Sequence, residues 1–128
     1  MSHTVSGGGE ALSDLEKLTQ DLLRFRAERD WEQFHTPRNL ATSVVIEAAE
    51  LLENFQWLRD GEELTEGRRQ AVSKEIADVF IYLVLLSRDL RIDLVDVARE
   101  KLDENVKRFP ITEAKGRAWS NKPGLGSV

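Results

Sequence analysis

An all-α fold, with four helices in a bundle-like arrangement, is what this 128-residue sequence predicts. Three observations predict it. Capping signals recur at Ser13, Thr36, Thr65 and Asp93, and each is followed by apolar residues at helical spacing. The gaps between these segments are short, which favours antiparallel neighbours. No segment shows the strict apolar–polar alternation of a half-buried strand.

Ser13 with Glu16 forms a capping box, opening a first helix through Leu15, Leu18, Leu22 and Phe25 that fades near Asp30. The stretch WEQFHT reads as a loop. Thr36 followed by Pro37 is an N-cap with proline at the first helical position, so a second helix starts there. Its pattern runs through EAAELLENFQWL to the turn dipeptide Asp60-Gly61. Thr65 caps a third helix reaching about Asp89, and Asp93 caps a fourth that ends before Pro110. Residues 11–110 therefore read as one domain, between a flexible Gly/Ser-rich leader (1–10) and an irregular tail (111–128).

Bulk properties narrow the function classes. At 41% hydrophobic and 32% charged residues the chain is globular rather than disordered, and long enough for one real core. The absence of cysteine excludes disulfides, thiolate metal sites and cysteine nucleophiles, and fits a cytoplasmic location. A net charge of −5 argues against binding a nucleic-acid polymer through a basic face. The leader has neither basic start nor apolar centre, so it is no signal peptide. The longest apolar run, near Val79–Leu86, falls far short of the roughly 20 residues of a membrane span.

The chemistry is carried by acids inside apolar helices. On the second helix Glu47 and Glu50 lie within one stripe that Asn54 and Trp57 continue. On the third, Glu75, Asp78 and Tyr82 repeat the spacing. An ExxE or ExxD pair is ordinarily a solvated face. Here, however, Val44, Val45, Ile46, Ala48, Ala49, Leu51 and Leu52 surround one pair, and Ala77 with Val79 through Leu86 the other. A helix apolar all round is buried on more than one side. Like charges held there need a compensating proton or cation, and four carboxylates suit hard Mg²⁺ or Mn²⁺. Glu16, Glu28, Glu53, Glu62, Glu63 and Glu66 have no such setting and read as surface.

Two further groups invite a ligand. Lys101, Asn105 and Arg108 share one face of the fourth helix and suit phosphate oxygens, although a solvated stripe is the plainer reading. Trp31, Phe34, His35 and Trp57 either seal the bundle ends or sandwich a flat base, with His35 at its edge. His3 and His35 are the only histidines, which excludes a histidine-rich metal site. A di-iron bundle fails because neither Glu50 nor Glu75 has a histidine three residues on.

EAAE on one helix and EIADVFIYL on the next resemble the ExxE…ExxD signature of the MazG-like all-α NTP pyrophosphohydrolases, and AERDWEQFHTPRNL, followed by ENFQWL and KLDENVKRFP, resembles their dCTP pyrophosphatase branch. The resemblance covers about Leu15 to Pro110. It implies hydrolysis of a (deoxy)nucleoside triphosphate, dCTP or a relative, to monophosphate and pyrophosphate, in the service of sanitising the nucleotide pool. It also implies a homo-oligomer, a tetramer built as a dimer of dimers. Carried over, Glu47, Glu50, Glu75 and Asp78 are the Mg²⁺ ligands, with Glu47 or Glu50 orienting the water that attacks the α-phosphorus. Trp31, His35, Trp57 and Tyr82 form the base and sugar pocket, and Lys101, Asn105 and Arg108 meet the triphosphate. A short Asp60–Arg69 connector and the lack of a long C-terminal extension depart from the vertebrate members, which bears on pocket closure and base preference. The rivals are a dUTPase-like or phosphoribosyl-ATP pyrophosphohydrolase, and a non-catalytic helical oligomerisation module.

Overall fold

The computed structural model describes residues 11–117; the leader and the end of the tail lie outside them. Among the described residues there are five α-helices and no strand. They are α1 (Asp14–Glu28), α2 (Pro37–Glu53), α3 (Glu66–Asp89), α4 (Leu94–Arg108) and a single turn, α5 (Ile111–Ala114). The last of these occupies the start of the segment that reads as irregular in sequence. A short 3₁₀ turn, Glu32–Phe34, lies between α1 and α2.

Each helix starts where its cap lies. The side-chain oxygens of Ser13, Thr36, Thr65 and Asp93 accept from the backbone N–H groups of Glu16, Asn39, Arg68 and Asp96, filling donors that the first turn leaves unpaired. The end of α1 is a Schellman turn. Asp30 takes a left-handed φ of 54° and Trp31 N–H reaches back to the Arg26 carbonyl. Arg91, at φ 57°, ends α3 the same way, with Ile92 N–H on the Ser87 carbonyl.

The second helix stops earlier than its periodicity suggests. The Asn54 amide donates to the Glu50 carbonyl at 3.1 Å, and its oxygen accepts from Arg68 Nη1 on α3 at 3.2 Å. An asparagine offering local hydrogen bonds competes with the helical ladder. FQWL then forms turns, not a fourth helical face. The wheel position expected for Trp57 therefore does not apply.

The chain falls into two compact units, Met1–Ile92 and Asp93–Val128. In the first, α2 packs along α3 and α1 against α3. Its buried apolar residues are Leu40 on α2, which is wholly enclosed, and Val72, Val84 and Leu85 on α3. That core is small, and Val45, Ile46 and Leu52 on α2 and Ile76 and Phe80 on α3 remain exposed. The expectation that apolar-all-round helices are buried on several sides thus fails for the single chain. In the second unit, α4 leaves Leu102 and Val106 exposed. No helix among the described residues is long and apolar enough to cross a membrane.

Candidate active site

Packing α2 along α3 brings acids from the two helices together. Oxygens of Glu47, Glu75 and Asp78 all lie within 4.8 Å of one another. Glu47 and Glu75 are half-buried. One oxygen of Glu75, Oε2, is shielded from solvent and has no hydrogen-bond partner. The Glu47 carboxyl is pushed from its ordinary 4.5 up to about 7. Hydrogen bonding with Glu75 is the main cause, followed by burial, and Glu50 and Asp78 add to it. Glu50 is exposed and stands outside the tight trio, one turn along α2, near enough to act on Glu47.

Such a cluster carries more negative charge than its surroundings balance. A proton shared between Glu47 and Glu75 is one remedy, and a divalent cation with hard oxygen ligands is the other. The donor set fits the second: three carboxylates from two helices, one with an unused buried acceptor. The surface glutamates behave as expected, since Glu16, Glu28, Glu53, Glu62, Glu63 and Glu66 are all exposed.

A cleft of about 250 Å³ opens beside the trio, lined by α1, α3 and the segment after α1. Trp31, His35, Tyr82 and Asp78 line it, so three of the four expected pocket residues share a wall with one of the acids. The Trp31 ring lies 5.6 Å from Phe25, edge to face, and 6.4 Å from His35. Trp57 is not in the lining and is 86% exposed, because α2 ends before it. Phe34, also weighed as a base-stacking ring, is exposed and outside the lining.

The cleft contains groups that sequence reasoning missed. Leu22 and Phe25 supply apolar wall, and Arg26 lies beside them at only 6% exposure. Arg26 Nη1 and Nη2 donate to the two Asp89 oxygens at 2.8 Å each, linking α1 to α3 across 63 residues. The signal was present in the sequence: Arg26 falls four residues after Leu22, on the apolar stripe of α1. His35 is held below its ordinary range, first by burial and then by the Arg26 charge, with Asp89 opposing.

Lys101, Asn105 and Arg108 lie on α4, in the second unit. Lys101 pairs with Glu104 at 3.3 Å, Asn105 is half-buried, and the Arg108 guanidinium lies 5.2 Å from the Phe109 ring centre.

The chain belongs to the MazG-like family, whose model matches residues 42–121. Over 118 residues it is 42% identical to the dCTP pyrophosphatase 1 of Homo sapiens, covering 88% of this chain and 68% of that protein. Over 111 residues it is 41% identical to the protein of the same name from Bos taurus, covering 84% and 64% respectively. The chain thus spans about two thirds of the length of these curated relatives. A pyrophosphatase from Archaeoglobus fulgidus, solved as a crystal structure, shares the fold with a TM-score of 0.74 at 40% identity. That match covers 79% of this chain and 96% of the archaeal one.

Proposed function

We propose that this chain is a Mg²⁺-dependent nucleoside triphosphate pyrophosphohydrolase. It acts on dCTP or a closely related deoxynucleotide and yields the monophosphate and pyrophosphate, with residues 11–110 as the catalytic domain. The observation that carries this reading is the meeting of the Glu47, Glu75 and Asp78 oxygens beside an aromatic cleft. The names of the relatives agree with it.

Glu47, Glu75 and Asp78 would hold the cation, with Glu50 as a fourth ligand; Mn²⁺ suits the same oxygens. The bound cation supplies positive charge that offsets the charge growing on the phosphate oxygens. Glu47 or Glu50 takes a proton from the water that attacks the α-phosphorus, while the bond to the bridging oxygen breaks and pyrophosphate leaves. Trp31 and Tyr82 hold the base and sugar, and His35 meets the base edge. Lys101, Asn105 and Arg108 are the candidates for phosphate oxygens by their chemistry alone.

The exposed apolar residues on α2 and α3 support self-association, because a core of four buried aliphatics is small for the described residues; a dimer of dimers is what the resemblance implies. The cysteine-free composition supports a cytoplasmic setting.

Pyrophosphate release measured over all canonical and 5-substituted dNTPs with Mg²⁺ tests the reading. Release led by a cytosine nucleotide, abolished in Glu50→Gln and Asp78→Asn proteins that still fold, is the expected outcome. Near-wild-type turnover in either variant would sink the assignment of the acids.

A further inference from the structure

The backbone at Trp31 is fixed from both sides, but that alone does not aim its ring. Asp30 holds the left-handed φ of the Schellman turn, and Trp31 N–H reaches the Arg26 carbonyl at 3.0 Å. Gln33 Nε2 donates to the Asp30 carbonyl and to Asp30 Oδ2, both at 3.0 Å, and Asn39 Nδ2 donates to the Phe34 carbonyl at 2.9 Å. An indole on a fixed backbone still has several staggered rotamers. Trp31 is 43% exposed, so packing encloses only part of its ring.

The missing support comes from α1. The Phe25 ring meets Trp31 at 5.6 Å between centroids with 77° between planes, the edge-to-face arrangement that ring quadrupoles favour. Phe25 is itself held. The Arg29 guanidinium lies over its ring, 3.7 Å from the centroid, and Arg29 Nη1 donates to the Phe25 carbonyl at 3.0 Å. The carboxylate that Arg29 pairs with, Glu28, stands farther off at 3.9 Å, so ring and carbonyl set the place of the guanidinium. A ring face under arginine is closed to a nucleobase, and Phe25 serves the cleft as a brace.

We propose that Phe25 and Arg29 are positioning residues for the substrate: stacked in series, they set the plane of Trp31, so that the cleft meets a nucleobase with its indole already aimed. The inference rests on the nucleotide reading above and deepens it. The effect passes through the fraction of molecules whose indole is correctly turned, and apparent affinity falls with that fraction. An edge-to-face pair biases the ring by a factor of about 2–10, and an exposed cation–π contact by about 2–5.

Deoxycytidine binding is measured by NMR titration. The motion of Trp31 is followed by time-resolved fluorescence anisotropy in a Trp57→Phe/Trp119→Phe background, where it is the only tryptophan. Phe25→Leu keeps an apolar wall but should weaken binding about 2–10-fold and add a fast local component to the decay. Arg29→Gln should weaken binding about 2–5-fold, and Arg29→Lys, which keeps a cation over the ring, should recover part of that loss. In a Trp31→Ala background neither Phe25→Leu nor Arg29→Gln should weaken binding further, because the residue they act through is gone. A direct wall contact of Phe25, or a general loosening of the fold, would persist there. Losses that add in full to that of Trp31→Ala, or a decay that neither variant changes, would overturn the proposal. If Phe25→Leu does not fold, Arg29→Gln, at an exposed position closing α1, decides alone. A wild-type protein that binds deoxycytidine yet releases no pyrophosphate would remove the catalytic reading and leave this test intact. A wild-type protein that does not bind deoxycytidine would overturn the brace as a binding device.

Discussion

Replacing Asp89 by alanine isolates the energetics of the longest-range polar contact in the first unit. Wild-type Asp89 accepts two charge-assisted hydrogen bonds of 2.8 Å from Arg26, whose side chain is 8% exposed against 25% for its partner. Breaking a fully buried pair by removing one partner costs about 3–5 kcal/mol, because the other charge is left uncompensated. Water can reach the vacated carboxylate position, so about 2–3 kcal/mol is expected for Asp89→Ala. For a domain of this size that lowers Tm by roughly 8–12 °C. Removing both charges in Arg26→Leu/Asp89→Leu should recover most of the loss, since apolar residues of similar volume replace a buried pair at little cost. The assay is thermal and urea unfolding followed by circular dichroism, at one protein concentration so that any association contributes equally to every variant. A loss below about 0.5 kcal/mol for Asp89→Ala would give the pair the worth of a surface ion pair and refute the reasoning. A double variant as unstable as the single one would refute the second half.

Three further outcomes follow from the site and the surface. The folded-state value of Glu47, about 7, exceeds the ordinary 4.5, so between these limits the folded chain holds more protons than the unfolded one. Stability of the metal-free protein should therefore fall as pH rises from 4.5 to 7, a slope that Glu47→Gln removes and Mg²⁺ counteracts; thermal unfolding across that window checks it, and identical profiles for wild type and variant would contradict it. Trp31→Ala should raise KM for the nucleotide by about 5–100-fold, as expected for a lost base-stacking ring. Trp57→Ala should change KM by no more than a few-fold, and steady-state kinetics that rank the two tryptophans the other way would overturn the pocket described here. Ile46→Glu, at a position exposed in the single chain, should cost little intrinsic stability yet split the assembly, read by sedimentation velocity; an unchanged mass would remove α2 from the interface.

Local chemistry made the helix starts readable. A side-chain oxygen before an apolar run has one strong use, and all four expected caps are formed. The meeting of Glu47 with Glu75 and Asp78 was also legible, because two amphiphilic stripes of equal spacing on adjacent helices can bury their acids only against each other. Where α2 stops was not. The pattern runs smoothly through Trp57, and the decision belongs to Asn54, whose oxygen is taken by Arg68 from the next helix. Trp57 lies outside the cleft lining of the single chain for that reason. A lone basic residue on an apolar stripe usually reaches for solvent, and only the fold brings Asp89 to Arg26. The exposed faces of α2 and α3 show a further limit: apolarity all round a helix predicts burial on several sides, and the single chain does not supply it.

The central claim is that water attacks the α-phosphorus of a deoxynucleoside triphosphate. Hydrolysis of dCTP with Mg²⁺ in H₂¹⁸O, followed by mass spectrometry of the products, tests it most directly. The account predicts that the heavy oxygen appears in dCMP and that the pyrophosphate is unlabelled. Label in the pyrophosphate, release of orthophosphate in its place, or no hydrolysis of dCTP or any related deoxynucleotide would contradict it.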